Sequence, residues 1–213
     1  LTTFVLVHGA WHGAWAWEKV AAELKNAGHR VLAFDLPAAG DDQTPGHEVT
    51  LDSYAVAIAK VIRAEKEKVV LVGHSMGGIA ISAAAELVPD RIRRLIYLTG
   101  FLPRHGETLL ALEERNPRPT VPPALVVKEG SPTAVLHPDR IVEIFFHDLP
   151  PHEAEAAKAK LTPQPLAPLA TPIKLTPERF GRVPKSYIEC TDDHAISIEL
   201  QRDMISKTPV DEV

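Results

Sequence analysis

Cysteine is almost absent: Cys190 is the only one in 213 residues. A single thiol cannot form an internal disulfide, so no disulfide framework holds this fold, and the usage suits a reducing cytoplasm. Also missing is any apolar run near the roughly 20 residues needed to cross a bilayer, so a membrane is not an expected partner. No block of Lys and Arg occurs. The 23 basic and 28 acidic residues give a formal net charge of −5, which argues against a phosphate-tracking surface and a nucleic-acid partner. There is no internal repeat and no low-complexity tract. The first residues lack a charged segment followed by a small-residue cleavage site, so export is not expected. What remains is 45% hydrophobic and long enough for one globular domain with a sizeable core and room for an insertion.

Short apolar runs alternate with longer segments of helical periodicity. The runs are Thr3 to Val7, Val31 to Phe34, Val69 to Val72, Leu95 to Leu98 and Ser186 to Glu189. Continuous runs of this length suit strands buried on both faces. Between them, Leu51 to Glu65 puts Leu51, Tyr54, Ala55, Ile58, Val61 and Ile62 on one helical face, with Thr50 as N-cap. Gly77 to Leu87 is small and apolar nearly all round, which suits a buried helix, and Ile196 to Ile205 reads as another. This alternation predicts an α/β fold: a mostly parallel sheet with helices on both faces and right-handed crossovers. One stretch departs from it. From Pro103 to Pro184 lie 15 of the 19 prolines, too many for central strands, because proline donates no ladder hydrogen bond. The expected organisation is therefore a core of residues 1–102 and 183–213, interrupted by a small proline-rich cap at 103–182. The best helix candidates in the cap are Ile141 to Phe146 and His152 to Leu161.

The strongest chemical signal is Val69-Val70-Leu71-Val72-Gly73-His74-Ser75-Met76-Gly77-Gly78. It is a G-x-S-x-G sequence set between an apolar strand and a helix, the context a nucleophile elbow requires. Small residues permit the sharp turn. The serine oxygen then projects from the sheet edge, and the helix N-terminus behind it favours developing negative charge. The plain alternative is a glycine-rich strand-to-helix turn, since the pattern alone is weak. A second feature adds weight: Phe4-Val5-Leu6-Val7-His8-Gly9-Ala10-Trp11-His12-Gly13 ends an early strand on His-Gly. An oxyanion hole in such an architecture uses the N–H of the residue after the nucleophile, here Met76, and one from an early loop, here Ala10. His8 and His12 are four apart, but glycines and a strand end intervene, so the spacing is no metal pair. His74 reads as structural, because so sharp a turn would point it away from Ser75. The acid should follow a later strand, where Asp192 and Asp193 compete for the role.

Four segments together resemble a known family, the plant methylesterase and hydroxynitrile lyase group of α/β-hydrolases and its bacterial relatives. They are V-H-G-A-W-H-G-A-W-A-W at Val7 to Trp17, G-H-R-V-L-A-F-D-L-P-A-A-G at Gly28 to Gly40, V-V-L-V-G-H-S-M-G-G at Val69 to Gly78, and Y-I-E-C-T-D-D at Tyr187 to Asp193. The group includes salicylate-binding methylesterases and polyneuridine aldehyde esterase. The resemblance spans nearly the whole chain and weakens in the cap. It implies Ser75 as nucleophile, Ala10 and Met76 as oxyanion donors, and Asp193 as the acid. It also implies a substrate pocket taking Phe101 and Leu102 after the fourth strand, with Trp11, Ile196 and the cap residue Phe145 as further candidates. No metal and no organic cofactor is implied. The lyases carry threonine where this chain has Gly9 and cysteine where it has Met76, so the resemblance favours hydrolysis. The family's catalytic histidine lies on a loop after the last strand, which would fall beyond Val213. None of the ten histidines occupies such a place, and His194 is poorly set to bridge Asp193 and Ser75. On this reading the chain lacks its last strand, histidine loop and last helix.

The expected activity is cleavage of a small apolar or aromatic carboxylic ester through an acyl-enzyme. A hydroxynitrile lyase on the same site and a non-catalytic ligand-binding homologue are the alternatives. Epoxide hydrolases and haloalkane dehalogenases are disfavoured, because they need aspartate where Ser75 stands. Oligomeric state is not legible in the sequence.

Overall fold

A computed structural model describes residues 1–213. Strands β1 (Thr3–Val7), β2 (Arg30–Ala33), β3 (Val69–His74) and β4 (Ile92–Leu98) alternate with helices α1 (Glu18–Asn26), α2 (Leu51–Ala64) and α3 (Gly77–Leu87). The segment after β4 carries α4 (Leu109–Glu113), α5 (Val121–Ala124), β5 (Leu125–Val126), β6 (Thr133–Leu136), α6 (Ile141–Phe145), α7 (Pro151–Lys158), β7 (Gln164–Pro165) and α8 (Ala167–Ala170). The chain then returns through β8 (Lys185–Ile188) and α9 (Ile198–Lys207).

The main sheet has the order β2-β1-β3-β4-β8, and every pairing is parallel. Residues beyond α9 come back beside β8. Tyr187 N–H donates to Glu212 O at 2.9 Å and Asp211 N–H donates to Lys185 O at 2.9 Å, so this edge of the sheet is paired as well.

Alternation along the strands sorts the core into two faces. Val5, Val7, Leu71, Leu95, Tyr97 and Tyr187 join residues of α2, α3 and α9 in one large cluster. Leu6, Val70 and Val72 pack on the other face with Trp17 and Ala21, the residues at and within α1. α2 begins with a full capping box: the Thr50 side chain accepts from Ser53 N–H, and the Ser53 side chain accepts from Thr50 N–H. Caps of this kind contribute about 1 kcal/mol. α9 starts at Ile198 rather than Ile196, because the Ser197 hydroxyl caps it by accepting from Leu200 N–H.

Between β4 and β8 the chain adds no strand to the main sheet. Its helices are four to eight residues long, and the reading from proline content did not anticipate the small antiparallel sheet β5-β6-β7 that accompanies them. Pro165 sits in the outer strand β7, where a missing donor costs nothing. Leu112, Ala124, Leu136, Ile144 and Leu169 from this segment belong to the same buried cluster as the sheet. The segment therefore shares one hydrophobic core with the sheet.

Candidate active site

The turn after β3 is tight enough that its glycines are steric necessities. A Cβ at position 73 would lie 2.5 Å from Gly77 O, one at 77 would lie 2.6 Å from Val7 O, and one at 78 would lie 2.5 Å from Phe101 O. All three obstacles are backbone and cannot swing aside. Held in this turn, Ser75 has φ of 52°, a left-handed conformation that costs a non-glycine residue roughly 1–3 kcal/mol. A serine strained in this way at a strand-to-helix turn has the geometry a nucleophile elbow requires, and it stands at the wall of a cavity of about 420 Å³.

Facing it is the loop after β1. His8 is buried and its pKa falls to about 4, chiefly through burial, so the ring is neutral. Leu36 N–H donates to His8 Nε2 at 3.0 Å, which leaves the proton on Nδ1, and Nδ1–H donates to Gly9 O at 2.8 Å. In a trans peptide the carbonyl and the next N–H point opposite ways. Anchoring Gly9 O on the His8 ring therefore turns Ala10 N–H away from that ring. Neither Ala10 N–H nor Met76 N–H has an acceptor within the protein, and both residues line the cavity. His12, its pKa also lowered to about 4 by burial, donates from Nδ1 to Ala10 O at 2.8 Å. The His8 and His12 rings thus brace the loop through their own backbone.

Trp11 follows with φ of 63°. Its N–H donates to Gln164 Oε1 (3.3 Å) and its indole N–H donates to Ala134 O (3.0 Å). Gln164 in turn donates to Tyr54 OH at 3.1 Å. Sequence reasoning missed Gln164: a glutamine among prolines carries no signal until β7 is placed over the loop.

The two candidate carboxylates have opposite surroundings. Asp192 is 87% exposed. Asp193 Oδ1 accepts from Ala195 N–H (2.7 Å) and Ile196 N–H (2.8 Å), and Oδ2 accepts from the Thr99 hydroxyl (2.6 Å). Thr99, at φ of 39° just after β4, also escaped the sequence reading. So did Glu113, a buried cavity carboxyl whose only side-chain partner is Asn116 Nδ2 (3.0 Å). Burial, reinforced by the Asp193 charge, pushes the Glu113 pKa up to about 7 against the Asn116 hydrogen bond.

Trp11, Phe101, Phe145 and Ile196 line the cavity, while Leu102 does not. Leu102 is turned into the core, and its N–H points at the Met204 sulfur, 3.4 Å away. His74 reaches the cavity wall together with His12, His147 and His194. The His74 pKa is lowered to about 4 by burial and then by His8, and its ring packs edge-on to Trp17 and His12. No side chain among residues 1–213 hydrogen-bonds Ser75 Oγ. No helix is long and apolar enough to cross a membrane.

Known proteins share this architecture. Methylesterase 7 of Arabidopsis thaliana is 34% identical over 236 residues, covering 99% of this chain and 85% of that protein. Salicylic acid-binding protein 2 of Nicotiana tabacum is 34% identical, covering 98% and 86%. The crystal structure of polyneuridine aldehyde esterase superposes with a TM-score of 0.88 at 29% identity, covering all of this chain and 89% of that one. Residues 4–213 match the model of the alpha/beta hydrolase family, and the chain belongs to that family.

Proposed function

We propose that the protein is a serine carboxylesterase that cleaves small esters with an apolar or aromatic group. The observation that carries this reading is the strained Ser75 at the wall of an apolar cavity, facing two unpartnered backbone N–H groups. Ser75 Oγ attacks the ester carbonyl, and Ala10 and Met76 N–H hold the oxyanion. Each such donor is worth about 10²–10³ in rate. Asp193, fixed by three hydrogen bonds, orients the histidine that takes the serine proton. None of the four cavity histidines bonds Ser75 Oγ in this arrangement. The alcohol leaves, and water then releases the acid from the acyl-serine.

Residues 103–182 act as the cap over a core of 1–102 and 183–213. The Trp11 and Phe145 rings, 6.0 Å apart, with His12 at 5.1 Å from Phe145, supply an aromatic wall that suits a planar group. A reducing cytoplasm fits the lone free thiol of Cys190. Gly9 speaks against cyanohydrin cleavage, because glycine offers no hydroxyl where the hydroxynitrile lyases carry threonine. The test is hydrolysis of a p-nitrophenyl ester by the gene product whose intact mass has been measured. In a form that carries the histidine, Ser75→Ala is expected to lower kcat by about 10⁴–10⁶, and full activity in that variant would sink the reading.

A further inference from the structure

One cluster at the cavity has no part in this chemistry. His147 follows α6, whereas Asp192 and His194 lie on the loop after β8. The two imidazoles are stacked, with centroids 3.5 Å apart and planes 9° from parallel. Both Nε2 atoms face the same carboxylate: His147 to Asp192 Oδ2 at 3.5 Å, and His194 to Asp192 Oδ1 at 3.7 Å. His194 Nδ1 lies 2.8 Å from Glu143 O. A carbonyl can only accept, so Nδ1 holds a proton, and in the neutral ring Nε2 then presents a lone pair. Such a lone pair facing a carboxylate is a pairing of two acceptors that a proton or a metal cation can bridge.

We propose that His147, Asp192 and His194 form a binding site for a borderline divalent transition-metal ion, which latches segment 103–182 to the loop after β8. Two imidazoles and one carboxylate are the donor set such ions prefer. The three ligand atoms lie within 4.8 Å of one another. Around a tetrahedral zinc with bonds of about 2.0–2.1 Å, ligand atoms are about 3.3 Å apart. The His–Asp separations of 3.5 and 3.7 Å are already near this value, and the stacked rings, 9° from parallel, tilt apart on binding so that both Nε2 lone pairs converge on the ion. The Glu143 carbonyl supplies the outer hydrogen bond that fixes a ligating histidine. Asp192, which faces solvent beside the better-held Asp193, gains a role. All three residues line the cavity that holds Ser75, so the ion would join two of its walls.

Zinc chloride titrated calorimetrically into the chelator-stripped 213-residue chain tests this directly and is independent of esterase activity. The expected result is one saturable site with micromolar or tighter affinity and a rise in melting temperature that EDTA reverses. His147→Ala and His194→Ala should each weaken binding at least about tenfold. His137→Ala, at an exposed His–Asp contact of 3.8 Å without a third ligand, should leave it unchanged. His147→Gln serves in place of His147→Ala if circular dichroism shows the alanine variant unfolded. Absence of saturable binding, or affinity equal in the wild type and the His147 variant, would overturn the proposal.

Discussion

Residues that hold Ser75 and residues that enclose it follow different physical rules. Around the serine, backbone presses on backbone. Gly73, Gly77 and Gly78 each sit where any Cβ would strike a main-chain atom, and β3 is paired on both sides. In segment 103–182 the elements are short, two of the positive-φ glycines face open space, and order comes from side chains reaching across to the sheet. The first region leaves the turn that carries Ser75 no room to relax. The second shapes the volume around them and can vary more without unfolding the molecule.

The largest test of this contrast compares two glycines. Gly77→Ala forces a Cβ to 2.6 Å from Val7 O and 2.9 Å from His8 O, so loss of several kcal/mol, about 4 or more, is expected by denaturant unfolding. Gly130→Ala, with φ of 73° and nothing within 4 Å, should cost only about 1–2 kcal/mol. Equal losses would erase the distinction.

Next in size is Gln164→Ala. It leaves Trp11 N–H and Tyr54 OH without their partner, and about 2–4 kcal/mol of stability should go, at roughly 1–2 per stranded group. Esterase activity should fall with it, because Trp11 adjoins the Ala10 donor. A stable variant with unchanged kcat would show that the segment does not brace the loop.

The smallest effect concerns Glu113. Its folded pKa of about 7 lies above the ordinary 4.5. The folded state therefore binds more protons than the unfolded state between these values. The corresponding stability is fully present below pH 4.5 and is lost as pH rises through 7, amounting to roughly 2–3 kcal/mol. Glu113→Gln should flatten the stability profile between pH 4.5 and 7 and leave the profile below 4.5 unaltered. An unchanged slope would place the titration elsewhere.

The same contrast explains what could be read from the chain alone. Strands buried on both faces leave continuous apolar runs, so β1, β3 and β4 were legible, and a turn that forbids side chains must spell itself in glycine. Ser75 and the loop after β1 stood out for those reasons, whereas Asp192 and Asp193 stayed level until the family resemblance implied Asp193. Thr99, Glu113 and Gln164 did not, because their importance arises from contacts 110, 94 and 153 positions away or from burial that no local pattern encodes. The family resemblance placed Leu102 at the cavity together with Phe101, but after β4 successive side chains diverge and Leu102 enters the core. The β5-β6-β7 sheet was hidden because its strands are two to four residues long, too short for period-two alternation to register.

Trp11 has a consequence for anyone transplanting segments between relatives. Its strained backbone is held by Gln164 Oε1 and its indole by Ala134 O, two acceptors that both belong to the foreign piece. A chimera could keep every residue of the reacting centre and still inherit a relaxed, misaligned loop. Successful grafts will be those whose incoming segment restores those two oxygens, whatever else it changes.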